Sequence, residues 1–431
     1  MIVLKGATVW QGGEDFRTLD VVVEDERIAE LREGVATPSG ADVLDCSGAV
    51  VAPGFVDLHV HLREPGSGDD ETIATGSAAA ALGGYTAVCA MPNTDPPADS
   101  AAVVEMIHRR GREVGLVDVH PIGAITAGRA GERLAAMGEM HRSSARVRLF
   151  SDDGDPVPTA HLMRRAMEYA RTFDAVLIEH AEDPSMRGGH MHEGEVSALL
   201  GLPGIPAEAE EICILRDLAL LKLTGSRLHI AHLSTSQGAA AVRAAKAAGL
   251  PVTCEVTPHH LALTDDALRG FDPAFKVAPP LRSSEHVKAL KEAVADGTVD
   301  AIATDHAPHA PHRKDREFDH APCGMLGLET ALGVAVAELV EPGICGLGRV
   351  LELMSTGPAR ILGDDAQGRT PAPGAPANLT VLDPTSVWTV DPAALASASR
   401  NTPFAGRKLV GRVVHTMLRG RLTVRDGEVT R

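Results

Sequence analysis

Aromatic residues are almost missing from this sequence: two Trp, two Tyr and eight Phe, 3% of 431 residues. A core of any size must therefore be built from Ala, Val, Leu and Ile. Positive charge is short as well, 41 Lys+Arg against 58 Asp+Glu, a net −17. Nucleic acid and anionic membranes attract basic surfaces, so neither is expected as a partner. No apolar stretch reaches the ~20 residues of a membrane-spanning helix; Ser77 to Met91 comes nearest and is broken by Gly83-Gly84. The opening MIVLKGATVW lacks the basic region, apolar run and cleavage site of a secretory signal. The six cysteines form no C-x-x-C pair, which suits reduced thiols in the cytoplasm. What remains is a globular chain, long enough for one large barrel and a small companion. It carries nineteen histidines, more than such a chain needs.

The first fifty residues read as short strands (Ile2-Val3-Leu4, Thr8-Val9-Trp10, Asp20 to Val23, Arg27-Ile28-Ala29) parted by turn signals such as Gly12-Gly13. After Thr370-Pro371-Ala372-Pro373-Gly374 the pattern returns at Asn378 to Leu382, Val413 to Met417 and Leu422-Thr423-Val424. Both termini, 1–52 and 370–431, are therefore expected to form one small β-sandwich domain. Residues 53–369 alternate apolar runs with helical stretches, among them Ile73 to Leu82, Ala101 to Val114, His161 to Arg171, Ala209 to Leu223, Ala239 to Ala247 and Ser284 to Ala295. The runs are Val50 to Leu62, Thr86 to Met91, Val117 to Ile125, Val147 to Phe150, Val176 to Ile178, Leu228 to Leu233, Val252 to Val256 and Ala301 to Ala303. Eight strands alternating with helices over roughly 300 residues predict an α/β fold, a (β/α)8 TIM-type barrel. An open doubly wound sheet would carry a glycine-rich nucleotide loop, which Gly66-Ser67-Gly68 does not match.

Chemistry collects at the ends of the predicted strands. In Asp57-Leu58-His59-Val60-His61 the two histidines, two residues apart on a strand, share one face and can hold one metal. A lone strand histidine is usually just a core residue; paired at a barrel strand's end it is better read as a ligand. Asp153 or Asp152 closes strand four, His180 strand five, His232 strand six and Asp305 strand eight. All lie at the face where barrel active sites are assembled. Arg63, two residues past His61, has the planar fork that suits a carboxylate, although a loop-stabilising ion pair would explain it too.

The order H-x-H, carboxylate, His, His, Asp resembles the amidohydrolase superfamily. Within it, Phe55-Val56-Asp57-Leu58-His59-Val60-His61-Leu62-Arg63-Glu64-Pro65-Gly66, Met91-Pro92-Asn93-Thr94 and Thr304-Asp305-His306-Ala307-Pro308-His309 resemble dihydroorotases. The resemblance runs essentially end to end. Many superfamily members bridge two metals with a carboxylated lysine on strand four. Here no lysine stands between Lys5 and Lys222, and the aspartate in its place is similar to class I dihydroorotases. The resemblance aligns Asp153 with the family ligand and leaves Asp152 as a loop or capping residue.

That resemblance implies two Zn2+ per subunit, bridged by Asp153 and a hydroxide, with His59, His61, His180, His232 and Asp305 completing the metal set. Asp305 would also be the catalytic acid–base. Arg63, Asn93 and His309 would bind substrate. The implied reaction is the reversible cyclisation of N-carbamoyl-L-aspartate to L-dihydroorotate in pyrimidine biosynthesis. Expected partners are the small-molecule substrate, a second copy in a homodimer, and aspartate transcarbamoylase. Alternatives are another cyclic-amide hydrolase (allantoinase or dihydropyrimidinase), or a non-catalytic barrel scaffolding aspartate transcarbamoylase. One departure from the family is Ala278, where an asparagine commonly precedes Pro-Pro-Leu-Arg and contacts substrate. His120, His141, His161, His286, His320 and His415 read as surface or supporting residues. His190 and His192 lie in a glycine-bearing loop near the mouth, and His259-His260 just after strand seven. The charged stretch Ala310 to Ala321 has no apolar periodicity and reads as a mobile loop over the mouth or a solvated surface loop.

Overall fold

Gly54 splits the apolar run from Val50 to Leu62 into two strands with different destinations. Val50–Pro53 joins the terminal sheet, and Phe55–Val60 opens the barrel. A Cβ on Gly54 would lie 2.2 Å from Thr86 Oγ1, so only glycine lets the chain pass there. The structure, a computed structural model, describes residues 1–36 and 38–430.

Eight strands follow in the predicted order: Phe55–Val60, Tyr85–Ala90, Asp118–Pro121, Leu149–Ser151, Val176–Glu179, Arg227–Ile230, Val252–Val256 and Ala301–Ile302. Successive strands pair in parallel. A parallel bridge from Gly123 to Phe150 links the third to the fourth. Another, from Val60 to His306, brings the first strand against the end of the eighth and closes the ring. The strands are buried almost throughout, as expected when helices cover a parallel sheet. Small side chains such as Val56, Ala87, Cys89, Ile178, Ala231 and Ala303 fill the interior.

The helices Ile73–Leu82, Ala101–Val114 and Ser284–Ala295 match the periodicity of the sequence end for end. Others begin earlier than their apolar pattern. The helix expected from Ala239 starts at Ser236, because Thr235 caps it by accepting a hydrogen bond from Gly238 N and the first turn is polar. Past the eighth strand, Leu347–Met354 and Thr356–Leu362 pack on the first and last barrel strands.

The termini form one mixed sheet of nine strands. Its joint is Val50–Pro53, parallel to Ile2–Trp10 on one side and antiparallel to Leu379–Thr389 on the other. Ile2-Val3-Leu4 and Thr8-Val9-Trp10 prove to be one strand with a bulge between Leu4 and Ala7, where Gly6 takes φ +65°. Leu4, Val9, Val21, Ile28, Leu379 and Met417 pack a core of their own.

The 310–321 segment is tied down rather than free. It holds the short helix Pro311–Lys314. Lys314 is buried, its ammonium donating to the Pro273 and Pro322 carbonyls, and Phe318 packs with Met191, Val196 and Leu268.

Candidate metal centre and active site

The first barrel strand is pinned to the eighth beneath the site. The Asp57 carboxylate accepts hydrogen bonds from Thr304 N at 3.1 Å, Thr304 Oγ1 at 2.6 Å and His59 N at 3.1 Å. His59 Nδ1 faces Glu255 Oε1 at 2.9 Å. The other oxygen of Glu255 meets His229 Nε2 at 3.0 Å, and His229 Nδ1 meets Thr253 Oγ1 at 2.8 Å. Burial raises the pKa of Glu255, but bonds from His229 and His59 outweigh it and hold the carboxyl at about 2. With Nδ1 engaged by Glu255, His59 turns Nε2 toward the cluster; that nitrogen is fully buried and has no hydrogen-bond partner. His61 is held alike, its Nδ1 2.9 Å from Asn93 Oδ1.

Asp153 stands between two pairs of imidazoles. Its Oδ2 lies 3.5 Å from His59 Nε2 and 3.6 Å from His61 Nε2. Its Oδ1 lies 3.3 Å from both His180 Nδ1 and His232 Nε2, which are 2.9 Å apart. Asp305 Oδ1 completes the first group, 3.1 Å from His61 Nε2 and 3.5 Å from His59 Nε2. Metal–ligand bonds of ~2.0–2.1 Å in a tetrahedron put neighbouring donors about 3.3 Å apart, the spacing seen here. The donors form two groups, His59–His61–Asp153 and Asp153–His180–His232, joined through one carboxylate. The buried, unpartnered Nε2 of His59 and this all-nitrogen-and-oxygen set fit a pair of divalent cations.

Burial raises and the imidazolium side of the cluster lowers the pKa of Asp153 and of Asp305; the latter wins, and both sit below the usual carboxylate range. Burial lowers His180, yet its contacts with Asp153 and Glu182 lift it to about 10. Three members of the site, Arg63, His232 and Asp305, have positive φ (55°, 30° and 46°), a strained conformation for non-glycine residues that concentrates at functional sites.

The substrate candidates gather at the same end. Arg63 Nε donates to the Pro308 carbonyl at 3.2 Å, and its Nη2 lies 3.3 Å from His309 Nε2. His309 Nε2 is also 2.7 Å from the Cys323 carbonyl. Burial, with Arg63 beside it, keeps that imidazole neutral, its pKa pushed down to about 3. Asn93 is committed through its oxygen to His61. Asp152 faces away, accepting from Ile125 N and Thr126 N at 2.9 and 3.0 Å, a loop-holding role. Ala278 offers no polar side chain, and the neighbouring Pro279 carbonyl is taken by His260 Nε2 at 3.1 Å.

Several histidines are less peripheral than their sequence context implies. His192, His286 and His415 are buried, the last accepting from Asp426 N at 3.1 Å. His259 is buried beside His260, and burial holds it neutral at about 4. Glu255 and His229 carried no signal in the sequence, because Glu255 meets His59 only across the closed barrel and His229 meets Glu255 from the neighbouring strand; Glu182, 3.6 Å from His180, which stands two residues before it, was missed as well. Another such residue is Asn401. From the connection between two terminal-sheet strands, it donates to the Ala307 and Gly324 carbonyls at 3.1 Å each and accepts from His309 N at 3.1 Å.

A closed parallel barrel with two histidine pairs joined by a carboxylate at its strand ends defines a metal-dependent hydrolase of the amidohydrolase type. The backbone superposes on the L-hydantoinase (dihydropyrimidinase) of Arthrobacter aurescens with a TM-score of 0.89 at 26% identity, covering 100% of this chain and 97% of that one. Residues 48–238 match the family model described as dihydro-orotase-like. A dihydroorotase of Anaeromyxobacter dehalogenans is 53% identical over 424 residues, 97% of this chain and 96% of that protein. One of Streptomyces coelicolor is 51% identical over 429 residues, 99% of each. The chain belongs to the dihydroorotase family.

Proposed function

We propose that this chain interconverts L-dihydroorotate and N-carbamoyl-L-aspartate, with two Zn2+ held by His59, His61, Asp153, His180, His232 and Asp305. Bound there, the metals lower the pKa of water toward ~7 and polarise a carbonyl oxygen. The residues do the rest. Asp305, ionised beside His61, accepts the proton of the attacking water and passes it to the ring nitrogen that leaves when the amide C–N bond breaks. In the reverse direction it takes the proton from the ureido nitrogen as the ring closes and water departs. Arg63 presents its guanidinium to the substrate carboxylate beside the neutral His309. Glu255 and Asn93 fix the tautomers of His59 and His61, so that each turns Nε2 into the cluster.

The observation that carries this reading is the placement of Arg63 and His309 next to the cluster. Allantoin and dihydrouracil carry no carboxylate for Arg63 to hold. The full donor set likewise favours catalysis over a scaffolding role. We place the reaction in the cytoplasm on the six unpaired cysteines. Among the described residues no helix is long and apolar enough to cross a membrane. The test is a panel of dihydroorotate, allantoin and dihydrouracil with the zinc-loaded protein, alongside metal analysis. Turnover of dihydroorotate with two zinc per chain is expected; turnover of either other substrate without it would displace this reading.

A further inference from the structure

We propose that Arg129, Asp155 and Arg187 form a clip that positions Asp153 and, through Glu182, His180, so that the His180–His232 half of the site keeps its metal. The inference rests on the metal reading of the cluster given above. Each member comes from a different loop: Arg129 follows the third barrel strand, Asp155 the fourth and Arg187 the fifth. Arg129 Nε donates to the Asp152 carbonyl at 3.2 Å. Arg187 Nη2 donates to the Gly154 carbonyl at 3.0 Å. The carbonyls on either side of Asp153 are thus each held by a guanidinium. Asp155 ties the two guanidiniums together, its Oδ2 accepting from Arg129 Nη2 at 2.9 Å and its Oδ1 from Arg187 Nη1 at 3.0 Å. Only a planar fork can serve a carbonyl and a carboxylate at once from separate nitrogens.

Arg187 reaches further into the site. Its Nε lies 3.4 Å from Glu182 Oε2, and that oxygen lies 3.6 Å from His180 Nε2. His180 turns its other nitrogen, Nδ1, toward Asp153. Glu182 therefore stands behind His180 as Glu255 stands behind His59, and such supports fix the orientation of a ligand ring. The clip itself is partly exposed, 17% for Arg129, 28% for Arg187 and 52% for Asp155. Ion pairs so placed add little to the stability of a fold. What they hold, Asp153 and Glu182, is buried. Arg129 also takes φ +56°, a strained conformation of the kind found at functional sites. The His59–His61 half has its own supports in Glu255 and Asn93. The clip reaches that half through Asp153 alone, but reaches the other half through both Asp153 and His180.

Zinc competition with a chelator on the full-length protein, read together with zinc content, tests this. The wild type is expected to hold two zinc per chain. Arg187→Gln is expected to weaken one of them by about 10-fold or more, the usual cost of losing such a support, and to leave the other nearly unchanged. Asp155→Asn, which removes the tie and keeps the shape, should shift the same metal in the same direction. Arg187→Lys should not restore it, because one ammonium cannot serve Gly154, Asp155 and Glu182 together. In limiting zinc the kcat of Arg187→Gln should fall and recover with excess zinc, while KM stays put because Arg63 and His309 are untouched. Thermal unfolding of the metal-free proteins should coincide. Unchanged zinc affinity in Arg187→Gln, equal weakening of both metals, or a loss matched by lower metal-free stability would each overturn the clip. A wild type that takes up no zinc would overturn the metal reading itself, and the clip with it.

Discussion

Glu255 stands directly behind His59, its Oε1 2.9 Å from the imidazole Nδ1, while its other oxygen is held by His229. One buried carboxylate thus decides which nitrogen of His59 faces the site. Removing it should loosen a ligand without touching the metal. Glu255→Gln is expected to weaken zinc binding by about 10- to 100-fold, the usual cost of losing such a support. Competition with a chelator measures it, and an unchanged affinity would show that His59 is oriented by packing alone.

The proposed mechanism gives Asp305 a separate role from the four histidines. Asp305→Asn should keep its metal and lose turnover by ~10²–10⁴-fold, the contribution of a positioned acid–base group. Zinc analysis together with kcat separates the two effects; near-normal kinetics would remove Asp305 from proton transfer.

Arg63→Ala should raise KM far more than it lowers kcat. Arg63→Lys should not restore binding, because an ammonium cannot reproduce a two-pronged contact with a carboxylate. Steady-state kinetics with dihydroorotate checks both variants. Unchanged affinity would move the carboxylate site elsewhere.

Asn401 clamps the His309 loop from the terminal sheet. Asn401→Asp keeps the acceptor for His309 N but loses both donations, to Ala307 and Gly324. A several-fold rise in KM at full zinc content is the expected result. A loss of zinc instead would place its effect at the metal centre.

Glu329 accepts a hydrogen bond from Ala396 N at 2.9 Å, and burial pushes its carboxyl up to about 7. Because the folded state holds this proton more tightly than the unfolded chain, stability falls as pH rises from about 4.5 through 7. Glu329→Gln keeps the acceptor and removes that slope. Thermal unfolding should show the variant more stable than the wild type at pH 8 and little different at pH 4; parallel curves would contradict it.

The barrel strands and most helices could be read from the chain because their signals are local. Apolar runs alternate with capped, amphipathic stretches, and three helices match end for end. Boundaries failed where a turn or cap overrode the pattern, at Gly54 and at Thr235. The placement of His59, His61, Asp153, His180, His232 and Asp305 followed from strand ends, since a parallel barrel brings those ends to one rim whatever the loops do.

By itself the sequence determined the alternating strands and helices of the barrel and set histidines and aspartates at the strand ends; the choice of Asp153 over Asp152 came from the resemblance to dihydroorotases. Tertiary structure alone decided what holds those donors. Glu255 lies 196 residues from His59, and Asn401 lies 92 from His309. Neither spacing leaves a periodic trace. Such pairs form only when the ring closes and the terminal sheet folds back over it, because a buried polar atom takes whichever partner packing brings within reach.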